Sequence, residues 1–246
     1  GAPGPGQARV RHTYVAVNFI DVYFRTGRYR TPLPSGLGSD AVGVVEAVGE
    51  GVTDIRVGDR VGYLLGPQGA YADVRLMPAE VLIPLPAEVS DESASALMMK
   101  GMTAQYLFRQ VFPLHGGETI LYHAAAGGVG LVACQWARAI GVTMIGTVST
   151  EAKAEVARAH GCAHAIVTGG MSAEQMAVEI PQRVRELTGG QGVPVVYDSV
   201  GKDTWDKSLD CLRPFGLMAS FGNASGVVPP FAVGTLGAKG SLYVTR

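Results

Sequence analysis

The sequence predicts an α/β protein in two parts. Residues 1–100 read as a small, curved, all-β domain, and residues 101–246 as a doubly wound parallel sheet with helices on both faces. Three observations carry this. Short apolar runs separated by glycine turns, without a clear helix, extend to about residue 85. From residue 117 the rhythm changes to alternating strand and helix. At the change lies GETILYHAAAGGVGLVACQWAR, residues 117–138, where a β-prone run meets a glycine-rich corner and then a helical pattern.

In order, GAPGPGQ is a loop and Ala8–Val17 a strand. NFIDVYFRTGRY follows, with Asn18, Tyr23 and Tyr29 as polar groups on an apolar background. A Pro/Gly loop over 31–38 leads to the valine-rich strand DAVGVVEAV, which turns at Gly49–Gly51. Another strand follows the turn at Val57–Asp59, and residues 69–85 supply one or two more. Ser90 caps a helical stretch with Asp91 and Glu92 in its first turn, where the helix dipole favours acids. The apolar spacing there fits one or two helices joined near Lys100–Gly101.

The second part reads as strand 119–123, helix 129–140, strand 142–148, helix 151–160, strand 164–167 and helix 172–188. Strand 194–198, helix 203–212, strand 216–221 and a last β-prone piece at 241–245 complete it. Gly141, Gly161 and Gly189–Gly190 stop the helices before them.

Charged residues are 17% of the 246 and the net charge is −1, which argues against recruitment of nucleic acid or an anionic membrane by charge. No run approaches the roughly 18 uncharged residues of a membrane span, and no signal peptide is visible. Cys134, Cys162 and Cys211 are odd in number and lack metal-ligand spacing. Free thiols in a reducing, cytoplasmic setting are expected.

A strand, a glycine corner and a helix open a dinucleotide-binding βαβ unit. Gly127 and Gly128 are expected to turn the backbone sharply and let it approach a pyrophosphate, and Gly130 to bring helix and strand close. The helix N-terminus offers N–H groups and the positive dipole end to phosphate. Ala125 stands where the first glycine of G-x-G-x-x-G is expected. No Lys-Ser/Thr pair follows Gly130, so the corner is not a P-loop. An NAD site places an acid at the end of the second strand. Here the tip reads Gly146-Thr147-Val148-Ser149-Thr150, without an acid, and Glu151 falls in the next helix. Ser149, Thr150 and Lys153 suit a 2′-phosphate, which favours NADP(H) over NAD. The alternative is that Ser149 or Thr150 only caps the helix and Lys153 is only solvated.

These blocks together resemble the zinc-independent quinone oxidoreductase family, the ζ-crystallin-like branch of the medium-chain dehydrogenase/reductase superfamily. NFIDVYFRTGRY, VGDRVGY, LMMKGMTAQYL, VVYDSVGKDTW and GLMASFGNASG are similar to its other blocks, and nearly the whole chain is covered. The resemblance implies a GroES-like β-barrel domain, incomplete at its ends here, and a Rossmann domain with an active cleft between them. It implies NADPH-dependent one- or two-electron reduction of quinones. Asn18, Tyr23 and Tyr29 would line the substrate side. Lys100, Thr103, Ser199, Phe221, Gly222 and Asn223 would lie near the nicotinamide. Ala126, Gly127, Gly128, Val129 and Gly130 would face the pyrophosphate, and Ser149, Thr150 and Lys153 the 2′-phosphate.

Where zinc-dependent relatives carry His-Glu, this chain has Ser39-Asp40, so no metal is expected. Thr168 stands where a tyrosine often contacts the 2′-phosphate. The family pattern also implies strands before residue 1 and a tail after Arg246, so the chain reads as a fragment or a truncated relative. A homodimer is implied, paired through 241–245. Two other readings stay open: reduction of α,β-unsaturated ketones or aldehydes, and a non-catalytic NADPH- or RNA-binding module. The sparse charge counts against RNA. His123, ending a buried strand, reads as hydrogen-bonded core, without a role of its own.

Overall fold

The computed structural model describes residues 1–246. It divides into two compact units, Gly1–Met99 and Lys100–Arg246.

In the first unit β1 (Gln7–Val15), β2 (Asp40–Val48), β3 (Arg60–Leu64), β4 (Val74–Pro78) and β5 (Ile83–Pro84) form an antiparallel sheet in the order β4-β1-β2-β3-β5. The register of β1 against β2 slips at Arg9/Val10 and at His12/Tyr14. Such bulges bend a strand and increase its twist. The sheet encloses Val10, Val45, Val61, Tyr63 and Met77.

One expectation fails here. The unit is not helix-free, because Phe19–Arg25 is a helix, α1. Its aromatic and β-branched residues are mediocre helix formers, and seven positions show no period. Asn18 and Asp21 start it instead. The Asn18 N–H donates to Asp21 Oδ2 at 2.9 Å, one half of a capping box.

Asp91–Tyr106 is one helix, α2, rather than two, and it runs through Lys100–Gly101. Ser90 Oγ accepts the Ser93 N–H at 3.1 Å, as a cap should. A π-helical turn, Leu107–Val111, follows.

The second unit is a six-stranded sheet in which every pairing is parallel. Its elements are β6 (Thr119–Tyr122), α3 (Gly128–Ala139), β7 (Thr143–Val148), α4 (Glu151–Ala159), β8 (His164–Val167) and α5 (Ala173–Leu187). They continue with β9 (Val193–Asp198), α6 (Trp205–Cys211), β10 (Leu212–Ser220), α7 (Gly234–Ala238) and β11 (Tyr243–Thr245). The order β11-β10-β9-β6-β7-β8 reverses direction between β6 and β9. That reversal is the switch point where open α/β sheets bind ligands, and the glycine corner follows β6 there.

Helices cover both faces. Ile120 and Tyr122 pack with Ala133 and Ala137 of α3 and Ala154 and Ala157 of α4. Leu121 packs with Ile180 and Val184 of α5 and Leu209 of α6. Burial on both faces makes these strands continuous apolar runs instead of alternating ones. The one-turn α7 has no sequence signal, being five residues bounded by glycines.

A Cβ on Gly130 would lie 2.5 Å from both the Ala124 and the Ala125 carbonyl oxygens. Gly130→Ala should therefore lower stability by roughly 2–3 kcal/mol. Gly101→Ala is the control: its Cβ meets nothing within 4 Å, so stability should be unchanged or up to about 1 kcal/mol higher. Both tryptophans, Trp136 and Trp205, lie in this unit, so urea unfolding followed by their fluorescence reads the difference directly.

Candidate functional site

The corner after β6 turns at Ala124, which adopts the left-handed conformation (φ 56°). This corrects the expectation that Gly127 and Gly128 make the sharp turn. Gly127 is extended (φ −77°, ψ 169°) and caps α3, and Gly128 is its first helical residue. Both are exposed, so the glycines leave bare backbone at the helix N-terminus. The first internal bond of α3 is Leu131 N–H to Gly127 O at 2.9 Å. The N–H groups of Gly128, Val129 and Gly130 precede it, as the anion-binding end of a helix requires. The Lys100 stem lies over Gly128, 3.4 Å from where a Cβ would stand. Ala125 is buried, and its methyl occupies the space that a side chain on Gly146 would need.

A cavity of about 320 Å³ lies beside the corner, walled by Ala126, Gly127, Ser149, Lys153, Thr168 and Val200 among others. At the tip of β7, Lys153 Nζ donates to Ser149 Oγ at 3.0 Å. Glu151 is held by Arg158 at 2.7 Å. Thr150 is the cap of α4, its Oγ1 accepting the Lys153 N–H at 3.3 Å, and it lies outside the cavity wall. Thr168 Oγ1 donates to the Val148 carbonyl at 3.2 Å.

The loops after β9 and β10 are zipped together. Phe221 N–H donates to Asp198 O at 2.8 Å, Ala224 N–H to Ser199 O at 3.1 Å and Ser225 N–H to Val200 O at 2.8 Å. A Cβ on Gly222 would stand 2.5 Å from Ser199 O. Ser199, Phe221, Gly222 and Asn223 are thereby one surface, with the Phe221 ring 5.8 Å from that of Tyr122. Arg246, which the sequence did not single out, donates to Asn223 Oδ1 at 3.3 Å. Thr103 sits on α2, one turn after Lys100.

Two buried clusters had no local sequence signal. His123 Nδ1 is 2.9 Å from Thr147 Oγ1, and Nε2 is 2.9 Å from Ser208 Oγ. Ser208 and Thr204 donate to Asp198 Oδ2 at 2.8 and 2.7 Å. These residues lie up to 85 positions apart. Likewise the Cys134 thiol meets Met144 Sδ at 3.4 Å and the Cys162 thiol the Met144 carbonyl at 3.7 Å, and the nearby Cys162, ahead of burial, raises the Cys134 thiol above its ordinary range. All three cysteines are free and buried.

In the first unit α1 carries the candidate substrate residues. Tyr23 is buried, with its ring 5.0 Å from Tyr29 and 5.4 Å from Phe19, and the Arg28 guanidinium lies 5.1 Å over it. Asn18 Nδ2 donates to Asp40 Oδ2 at 3.4 Å. Buried Asp21 also accepts Ser39 O–H at 2.7 Å and Tyr71 O–H at 2.9 Å. Burial and then Asp21 push the Tyr71 hydroxyl up to about 12. Ser39 and Asp40, at the place of the zinc relatives' His-Glu pair, are thus tied into hydrogen bonds. No three His, Cys, Asp or Glu side chains converge as a metal donor set.

Asp21→Ala leaves three donors without their acceptor. It should raise amide exchange in α1 about a hundredfold, the equivalent of about 3 kcal/mol. A second expectation concerns acid. Burial lowers the pKa of His123 below 6.5, against the pull of Asp198 and with the push of Lys207. The unfolded chain then binds the proton first, so this contribution is complete above pH 6.5 and is lost as pH falls from there through the folded value. His12 is lowered in the same sense by its own burial. Thermal midpoints should fall on acidification, and less steeply in His123→Gln.

Comparison with known proteins agrees with this geometry. The family model described as alcohol dehydrogenase GroES-like domain matches residues 4–87, and that described as zinc-binding dehydrogenase matches residues 128–244. A quinone oxidoreductase of Pseudomonas aeruginosa is 57% identical over 245 residues, covering 99% of this chain and 73% of that protein. A 2-haloacrylate reductase of Burkholderia is 52% identical over 254 residues, covering all of this chain and 74% of that protein. The crystal structure of Escherichia coli quinone oxidoreductase complexed with NADPH superposes with a TM-score of 0.94 at 47% identity, over all of this chain and 74% of that one. The chain belongs to the zinc-independent quinone oxidoreductase family of the medium-chain dehydrogenase/reductase superfamily.

Proposed function

We propose that the chain is an NADPH-dependent quinone oxidoreductase that reduces its substrate without a metal. The observation that carries the cofactor choice is the Ser149–Lys153 pair beside the cavity, with Glu151, the acid next to the strand tip in sequence, paired to Arg158. A hydroxyl and an ammonium suit a phosphate, and an NAD site would put an acid there. The P. aeruginosa relative is a quinone oxidoreductase, and the E. coli structure holds NADPH, which supports the same reading here.

When bound, the nicotinamide supplies the hydride or the single electrons. The chain's own residues bind and orient. The N–H groups of Gly128, Val129 and Gly130, with the bare backbone of Ala126 and Gly127, take the pyrophosphate. Ser149 and Lys153 take the 2′-phosphate, with Thr150 shaping the turn that presents them. Lys100, Thr103, Ser199, Phe221, Gly222 and Asn223 bound the nicotinamide half. On the substrate side, Tyr23 donates its O–H to the oxygen that gains charge, with Tyr29 and Asn18 beside it. We further propose a cytoplasmic homodimer. Strand β11 is a sheet edge with Tyr243 exposed, and the free thiols fit a reducing compartment. No helix is long and apolar enough to cross a membrane.

The Burkholderia relative favours one second reading, reduction of a conjugated carbon–carbon double bond by the same cofactor. NADPH oxidation assayed in parallel with 1,4-benzoquinones, naphthoquinones, a 2-haloacrylate and an enone separates the two. No quinone-dependent rate would overturn the main proposal. Lys153→Met should raise the KM for NADPH roughly tenfold or more, through loss of a charge-assisted bond, and leave the KM for NADH unchanged. Tyr23→Phe should lower kcat with quinones roughly tenfold at unchanged KM for NADPH. Unchanged turnover of every quinone would remove Tyr23 from that role.

A further inference from the structure

His123 directly follows β6, is fully buried, and borders the cavity beside the corner. Its hydrogen bonds run in one direction only. The Val200 and Gly201 N–H groups donate to Asp198 Oδ1 at 2.7 and 3.0 Å. The Thr204 and Ser208 hydroxyls donate to Oδ2. Ser208 has a single proton, and giving it to Asp198 leaves its oxygen to accept. His123 therefore carries its proton on Nε2, facing Ser208 at 2.9 Å. Its Nδ1 is then an acceptor, and the Thr147 hydroxyl donates to it at 2.9 Å. Thr147 Oγ1 is left to accept the Ala124 N–H at 3.4 Å. The Thr147 carbonyl takes the Ala125 N–H at 3.0 Å.

The chain of bonds thus begins at a carboxylate and ends on Ala124, the left-handed residue where the backbone enters the corner. Asp198 also fixes the loop that brings Val200, Asp203 and Thr204 to the same cavity. One buried carboxylate orders both walls, and the imidazole transmits direction between them because its two nitrogens differ. An apolar residue of similar size would leave the Thr147 and Ser208 hydroxyls without one of their partners. Burial disfavours the charged ring, which keeps Nδ1 available to accept.

We propose that His123 is a positioning residue for the cofactor corner. The directed chain Asp198–Ser208–His123–Thr147 holds the Ala124 turn, and with it the Gly128–Gly130 N–H groups, in the geometry that receives the cofactor pyrophosphate. This rests on the NADPH reading above.

The test uses the full chain and NADPH titration by intrinsic fluorescence. Ser208 is outside the cavity wall, so Ser208→Ala reaches the cofactor only through its bonds to His123 and Asp198. It should weaken NADPH binding roughly tenfold, while kcat at saturating NADPH stays within about twofold. Ser208→Thr, which keeps the hydroxyl, should restore binding. Thr147→Val combined with Ser208→Ala should weaken binding no further than the stronger single change, because both act through one ring. Nitrogen-15 NMR of the wild-type histidines, without nucleotide, should show the His123 proton on Nε2. A proton on Nδ1, wild-type NADPH affinity in a folded Ser208→Ala, or multiplicative effects in the double variant would each overturn the proposal. Should Ser208→Ala fail to fold, the tautomer and the Thr147→Val and Thr147→Ser pair decide in its place. Failure of the wild type to bind NADPH would overturn the cofactor reading itself, and is told apart by a correct tautomer in a chain without NADPH affinity.

Discussion

The second unit depends on one close approach. At Gly130 the first turn of α3 presses against the carbonyl oxygens of Ala124 and Ala125, at a separation that leaves no room for even a methyl group. From that contact follow the position of the helix N-terminus, the burial of Ala125 and the need for glycine at 146 beneath it. The open N-terminal end of α3 is therefore a consequence of packing before it is a matter of polar chemistry. The same packing explains why Ala124, and not a glycine, takes the left-handed conformation. Its Thr147 contacts and the Gly127 N–H to Ala124 O bond at 2.9 Å over-determine the turn, so a modest local strain is held by neighbours.

Much of the fold was legible in the chain. The change of period at residue 117, the stops at Gly141, Gly161 and Gly189, and the run VVYD mark elements that the structure places within a few residues. These signals are local: a strand buried on both faces must be apolar, and a helix ending in a left-handed residue favours glycine. The helix α1 was not legible. Seven residues cannot display a 3.6-residue period, and the signal that was there, Asn18 followed three positions later by Asp21, is a cap instead of a pattern. The start of β10 at Leu212 is not legible either. It lies before a register shift and the left-handed Phe215, which break the run that the sequence shows from Gly216.

The site divides in the same way. Glycines beside a helix start and an acid-free strand tip are short-range features, and they are visible in sequence. His123, Thr147, Asp198 and Ser208 come from four separate elements, and nothing in their spacing announces that they meet. Cys134 and Cys162 are equally silent as neighbours, because both reach Met144 only once α3 and the turn before β8 are packed on β7. Long-range polar clusters of this kind appear only once topology is known, and so a buried histidine looked like ordinary core.

The shortness of α1 has a consequence for how such a protein changes over generations. A seven-residue helix is below the length at which helices hold themselves together in water. Its order is supplied from outside, by the bonds of Asp21 to Ser39 and Tyr71 and of Asn18 to Asp40. The side chains that anchor the segment are therefore distinct from Phe19, Val22 and Tyr23, which give it its aromatic and apolar character. Anchoring and surface chemistry can vary independently. A lineage that keeps Asn18 and Asp21 is free to exchange the residues between and after them, the ones that the proposed function sets on the substrate side, while the second unit stays as it is.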